Sequence, residues 1–298
     1  MLIPGRAFSA VFLLVQFTAP AAHAAEITVT DDRGATVILA APAQRIISLA
    51  PSITELVFAA GAGARLVGVA RYSDHPHAAR GLPQIGDASR IDPERVLSLK
   101  PDLVIGWKSG NPAAEIERIE RLGFKVYAAE PATLAAIPRL LRIMGLLAGT
   151  GAAAQDAADE FEQGISALRQ RYGARARVRV FYEIWHQPLM TVNRRHMISD
   201  VIKLCGGVNV FAGVETLTPL VSLEAVIAAQ PEVVLGGSSA TTADAFAAQW
   251  RGYEEFVTLR NVKALYVDPD HIQRQTPRIL EGAQTVCEHL EKIRGSRR

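Results

Sequence analysis

The chain has 298 residues, with 32 Lys and Arg against 30 Asp and Glu, a formal charge of +2 at pH 7, and two cysteines. That near balance, with no long run of one sign, excludes the basic stripe that phosphate tracking on a nucleic acid requires. The two cysteines have neither C-x-x-C spacing nor a histidine cluster beside them, which argues against structural zinc.

The opening MLIPGRAFSAVFLLVQFTAPAAHAAE carries one charge, Arg6, then an apolar run from Phe8 to Phe17 and the small-x-small triplet Ala22-His23-Ala24. This is the layout of a secretory signal over 1–24, cleaved after Ala24. The run is about half of the roughly 20 residues that a membrane span needs. No cysteine lies near the cleavage point to take a lipid. The expectation is a soluble exported protein starting near Ala25, with a net charge of +1 once Arg6 is gone. About 270 mature residues suit two lobes of about 120 residues better than one core.

From Gln44 onward, strand-like and helix-like runs alternate. RIISLA (45–50) leads into PSITELVFAAG, where Ser52 and Glu55 have the spacing of a capping box and Gly61 ends the helix. LVGVA (66–70) reads as a strand, and Asp92-Pro93 as a helix cap with a first-turn proline. DLVIGW (102–107) is a strand, AAEIERIERLG a helix, KVYAA (125–129) a strand, and Thr133 to about Leu147 a helix. Such alternation predicts crossover units and parallel sheets with helices on their faces.

Residues 149–173 place Ala157, Phe161, Ile165, Leu168 and Tyr172 on one helical face within an Ala-rich stretch. One stiff helix is predicted there, between a lobe over 25–148 and a second over 174–298. The second half continues with RVRVFYEI (177–184), a helix from about His196 to Leu204, a turn at Gly206-Gly207, a strand in ALYVDP (264–269) and a capped helix in TPRILEGAQTVCEHLEKI. The fold class expected is α/β, two parallel-sheet lobes joined by one long rigid helix, which implies only small closure between the lobes. An even cysteine count in an oxidising compartment favours a bridge between Cys205 and Cys287, two buried thiols being the alternative.

One phrase occurs twice: DPERVLSLKPDLVIGW (92–107) and VSLEAVIAAQPEVVLGG (221–237). Each runs cap, Glu, apolar helix, Pro, acidic residue, hydrophobic strand, and Glu94 and Glu224 stand 130 positions apart. A first-turn carboxylate complements the helix dipole by about 0.3–1 kcal/mol and needs no other explanation when it occurs once. Matching places on two similar lobes give a second use: paired carboxylates can engage a twofold partner, one on each subunit.

ARYSDHP (70–76), LKPDLVIGW (99–107), APSITEL (50–56), LCGGVNVF (204–211) and QRQTPRILEGAQTVC (273–287) together resemble the periplasmic binding proteins that feed ABC importers of iron-siderophores, haem and cobalamin, and within them the cobalamin binders most. The resemblance spans nearly the whole mature chain. It implies two lobes on a helical backbone, a chelate held between them, and a glutamate on each lobe docking onto a dimeric inner-membrane permease with its ATPase subunits. Glu94 and Glu224 fall at those places, and Cys205–Cys287 at the family's disulfide. Ser52, Tyr72, Trp107, Met190, Asp270 and Arg274 fall at ligand-lining positions, Asp270 and Arg274 as a polar pair for amide arms and tail. The chain departs from the pattern at Ala88 and Thr218, where tryptophans stand in the family, and at Met190, where a phenylalanine does. Trp185 is an alternative aromatic wall, whereas Tyr127, within a strand, is expected in the core.

No resident cofactor and no metal site are expected, and the protein is a monomer by default. Of His75, His77, His186, His196 and His271, the last is the candidate axial ligand for the chelate's metal. Haem or an iron-siderophore is the alternative cargo. An enzyme on a two-lobe scaffold is the third reading, disfavoured because no G-x-S-x-G, P-loop or post-strand G-x-G-x-x-G occurs.

Overall fold

A computed structural model describes residues 26–237, 240, 242–253 and 262–297. The signal expected over 1–24 therefore lies outside the described residues. An antiparallel hairpin of β1 (Ile27–Thr30) and β2 (Thr36–Leu39) opens the chain, an element the sequence reading did not anticipate. Then come β3 (Ile46–Ser48), α1 (Pro51–Ala59), β4 (Leu66–Val69), α2 (Pro93–Leu99), β5 (Leu103–Trp107), α3 (Ala113–Arg121), β6 (Val126–Ala129) and α4 (Ala136–Ala148). The long α5 (Gly151–Tyr172) follows, then β7 (Val178–Glu183), α6 (Met197–Leu204), β8 (Gly207–Asn209), α7 (Leu223–Ala228), β9 (Val233–Gly236), α8 (Ala243–Arg251), β10 (Lys263–Tyr266), α9 (Pro269–Ile272) and α10 (Ile279–Ser296).

The strands form two four-stranded sheets, ordered β4-β3-β5-β6 and β10-β9-β7-β8, parallel throughout. Their central strands are apolar on both faces because helices cover both: every residue of β3 and β9 is buried. In each sheet the chain leaves a middle strand in both directions, between β3 and β5 and between β7 and β9. Ligands collect beyond the carboxyl ends of parallel strands at such reversals.

The lobes share one continuous apolar core. Phe161, Ile165, Leu168 and Tyr172 of α5 belong to the same buried cluster as Leu140 and Met144 of the first lobe and Val201, Val286 and Leu290 of the second. α5 is thus welded to both lobes along its inner face, the face that the helical spacing of its apolar residues marked out. Cys205, ending α6, is bridged to Cys287 in α10 across a separation of 82 residues, so of the two alternatives the disulfide forms. Closing a loop of that length stabilises by about 4 kcal/mol in the chain-entropy account. Replacing both cysteines with serine is expected to cost about 2–4 kcal/mol in denaturant unfolding of the mature protein. A loss below about 0.5 kcal/mol would mean that the unfolded chain gains nothing from the cut.

The repeated phrase is a repeated structure. α2 is capped by the Asp92 carboxylate, which accepts from the amides of Glu94 and Arg95, and α7 by Ser222 Oγ, which accepts from the Ala225 amide. Both helices are followed by a left-handed residue just before a proline, Lys100 at φ 46 and Gln230 at φ 45. Asp102 accepts from the amides of Gln44 and Arg45, and Glu232 accepts from the amide of Arg179. The Arg45 guanidinium donates to the carbonyls of Leu99 and Lys100, and that of Arg179 to those of Ala229 and Gln230. The acidic residue of each phrase therefore ties the start of one strand to the start of its neighbour.

Two helix starts differ from expectation. α1 begins at Pro51 with Ala50 as its cap, so Ser52 lies inside the first turn and no capping box forms. The proline fixes the entry two residues early, and Glu55 is drawn away to arginines of the other lobe. α10 starts at Ile279 with no side-chain cap, Thr276 lying buried ahead of it.

Candidate functional site at the facing strand ends

The loops beyond the carboxyl ends of the two sheets meet. Arg274, just past α9, donates Nη1 to Glu55 Oε1 at 2.9 Å and to Asp74 Oδ1 at 2.7 Å, and its Nη2 lies 3.0 Å from Asp270. Arg278 adds a second contact to Glu55 Oε1 at 3.3 Å. Glu55 and Asp74 belong to the first lobe, Asp270 and both arginines to the second. The side chains of Glu55 and of each arginine are 3% and 18% exposed and so largely shielded from water, while Asp74 and Asp270 form the open rim. The bond from Arg274 holds the Asp74 carboxyl below its ordinary range. Burial alone would lower the Arg274 guanidinium, but its bonds to Asp74 and Glu55 outweigh that and raise it.

The predicted pair Asp270–Arg274 is thus brought together, with two partners the sequence reading did not assign. Glu55 was absorbed into a helix-start motif, and Asp74 carried no signal beyond its place in ARYSDHP. Ser52 is 5% exposed beside this cluster's Glu55, and its Oγ has no partner among the described residues. A chained set of hydroxyls, Ser48 to Thr54 at 2.6 Å and Thr54 to Ser73 at 2.9 Å, fixes the loop after β4 on α1. That loop presents Tyr72, 69% exposed, on a left-handed backbone at φ 68 that costs a non-glycine residue about 1–2 kcal/mol. An aromatic ring held out to solvent by strained backbone is an arrangement that packing does not require.

Trp107 ends β5, as predicted, and is half-buried. Asn111, 3% exposed, accepts from the Trp107 amide at 2.7 Å and donates to the carbonyls of Leu49 and Ala88. It joins the ends of β3 and β5 to the loop carrying Ala88. The indole Nε1 donates to Glu130 at 3.2 Å, and the ring covers Gly110 so closely that a Cβ there would sit 1.8 Å from it. Tyr127 is fully buried, in the core as expected.

In the second lobe, Met190 closes a short turn beyond β7: its amide donates to the Trp185 carbonyl and its own carbonyl accepts from Ile184. The turn carries Trp185, 48% exposed, whose Nε1 donates to the Gln187 carbonyl. Thr218 lies in the neighbouring loop, before Leu220, which is 66% exposed. His271 turns its Nε2 toward Glu281 at 3.5 Å. His196 caps α6, its Nδ1 accepting from the Ile198 amide, and burial pushes its pKa down to about 4. Among the described residues no group of three or more His, Cys, Asp or Glu gathers for a metal.

Glu94 and Glu224 are exposed, each two residues past its cap, and neither makes an ion pair among the described residues. The carboxyl of Glu224 is held below its usual range by its own amide and by Ser222. A cavity of about 500 Å³ lies between Leu134, the end of α5 and α6. No helix among the described residues is long and apolar enough to cross a membrane.

Facing parallel sheets, one welded connecting helix and a polar junction at the strand ends define a two-lobed ligand-binding protein. The chain belongs to the periplasmic binding protein family, whose profile matches residues 46–270. It is 38% identical over 256 residues to the vitamin B12-binding protein of Vibrio parahaemolyticus, covering 86% of this chain and 92% of that one. The crystal structure of the periplasmic vitamin B12-binding protein of Vibrio cholerae is similar at a TM-score of 0.78 and 37% identity, over 85% of this chain and 98% of the other. A periplasmic haem-binding protein from Roseiflexus sp. RS-1 is similar at a TM-score of 0.71 and 26% identity, over 82% and 97%.

Proposed function

We propose that this chain is an exported binding protein that captures cobalamin or a related corrinoid between its lobes. It delivers the cargo to a dimeric inner-membrane ABC importer and performs no chemistry of its own. The carrying observation is the junction of both sets of strand ends at Arg274, with Tyr72, Trp107 and Trp185 around the same carboxyl ends. A corrinoid is a broad disc edged with amide arms. Aromatic side chains supply flat apolar surface for it, and a few fixed polar groups set its orientation. Asp74 and Asp270 are each about half exposed, so they can exchange partners with amide arms while Glu55 stays on the arginines. The similarity to vitamin B12-binding proteins over most of the chain supports this cargo.

The test is an absorption spectrum of the mature protein after mixing with cyanocobalamin or with haem and desalting. A corrin spectrum at one equivalent is the expected result. A Soret band alone would transfer the reading to haem, the cargo of the Roseiflexus relative. In the same assay, Trp107→Ala is expected to weaken corrinoid binding by about 1–3 kcal/mol, the range for a packed aromatic contact. Unaltered affinity would leave Trp107 only its packing on Gly110.

A further inference from the structure

We propose that His186 is an axial ligand to the metal of the captured corrinoid, held in its ligating tautomer by the buried carboxylate of Glu183; this rests on the corrinoid reading above. His186 lies three residues beyond the end of β7, at the reversal of the second sheet, in the turn that also displays Trp185. Glu183 is fully buried, and its Oε2 accepts from Trp250 Nε1 at 2.7 Å, so the carboxylate is fixed from behind. The same oxygen stands 3.2 Å from His186 Nδ1.

A carboxylate can only accept, so Nδ1 carries the proton, and the tautomer that binds a metal has its lone pair on Nε2. Metal-binding histidines are characteristically oriented and made more basic by this kind of bond. Nε2 has no partner among the described residues, and 13% of the side chain remains accessible. The other described histidines lack this combination. Nε2 of His289 is bound to the Tyr266 carbonyl, and the ring of His196 caps α6. Nε2 of His271 faces Glu281, an exposed carboxylate with nothing buried behind it, and neither His75 nor His77 pairs with a carboxylate among the described residues. The Trp250 bond alone needs no imidazole on the same oxygen, and it leaves the buried Glu183 Oε1 without a partner among the described residues.

The exchange is simple in its balance. A cobalt–oxygen bond to an axial water breaks, a cobalt–nitrogen bond to Nε2 forms, and the water leaves. The Nδ1 proton stays in place and the metal keeps its oxidation state. The probes are therefore aquocobalamin, with an exchangeable water, and cyanocobalamin, whose cyanide blocks that position. With the mature protein, bound aquocobalamin is expected to show a displaced near-ultraviolet band relative to the free compound, and bound cyanocobalamin none. In His186→Gly the displacement is lost, and added imidazole restores it by filling the vacated position. Loss of aquocobalamin retention in this variant, restored by imidazole, counts equally in favour. Retention of both corrinoids by the unaltered protein with no displaced band overturns the ligation and leaves corrinoid capture standing. A displaced band that persists in His186→Gly overturns it as well. Retention of neither corrinoid overturns the capture reading, and the ligation with it.

Discussion

The double variant Glu94→Ala, Glu224→Ala is expected to bind its ligand as tightly as the unaltered protein while uptake through the importer collapses. Both carboxylates lie on the outer first turns of α2 and α7, exposed and without ion pairs among the described residues. Their helices are fixed by equivalent devices in each lobe, including the left-handed residues Lys100 and Gln230 and the strand-tying acids Asp102 and Glu232. Two charges held at equivalent places on a two-lobed body present a patch for a twofold partner, each receiving an arginine of one subunit. Truncating one partner of such a pair once it is buried costs about 2–5 kcal/mol, mostly by stranding the other charge. Two pairs at the lower figure cost about 4 kcal/mol, close to a thousandfold in docking affinity. Neither residue approaches the interlobe junction, so calorimetric ligand affinity should not change. Uptake that persists in the double variant, measured in reconstituted vesicles, would remove both glutamates from docking.

Much of this architecture was legible in the chain because local chemistry and tertiary structure agree. β3, β5 and β9 are buried on both faces and read as short apolar runs, β7 is buried apart from Arg179, and α5 shows its inner face at helical spacing. The duplicated phrase betrayed the two lobes, since each of its residues satisfies a local need: a cap, a proline, a carboxylate for backbone amides. The hairpin β1–β2 was legible as well, since ITVT and TVIL are β-branched runs around the turn residues Asp31 to Gly34, but its strands are only four residues long and half-buried. Misreading Ser52 and Glu55 as a capping box has a different cause. The spacing fits, but Glu55 is claimed by Arg274 and Arg278, more than 200 positions away, and a window of four residues carries no trace of that. Asn111, just past β5, carries no comparable signal, although its three hydrogen bonds arrange the ends of two strands. His271 stands beside Asp270 in the sequence, but its Nε2 faces Glu281, whereas the buried carboxylate of Glu183 lies beside His186. Contacts between lobes are what a single sequence hides, and the charged junction at Arg274 and Arg278 is built from them.

Glu55→Ala is expected to destabilise the mature protein by about 3–5 kcal/mol, the cost of removing one partner from a buried charge pair. Glu55 Oε1 accepts from Arg274 and Arg278, and its side chain is 3% exposed. Without it Arg274 keeps Asp74 and Asp270, but Arg278 is left with no carboxylate among the described residues while 82% of its side chain stays covered. The penalty is desolvation of a guanidinium that nothing else compensates, so restoring hydrogen-bonding shape should recover part of it. Glu55→Gln keeps an acceptor at the Oε1 position and should lose less, and the gap between the two variants measures the charge. Because the cluster joins α1 to the segment leading into α10, the loss should also loosen one lobe against the other. Denaturant unfolding supplies the free energy, and hydrogen exchange at the amides of α1 and α9 reports whether loosening is local to the junction. A loss below about 1 kcal/mol for Glu55→Ala would mean that the arginines rehydrate freely. The junction would then be a solvated contact, and the work of holding the lobes together would fall to the apolar face of α5.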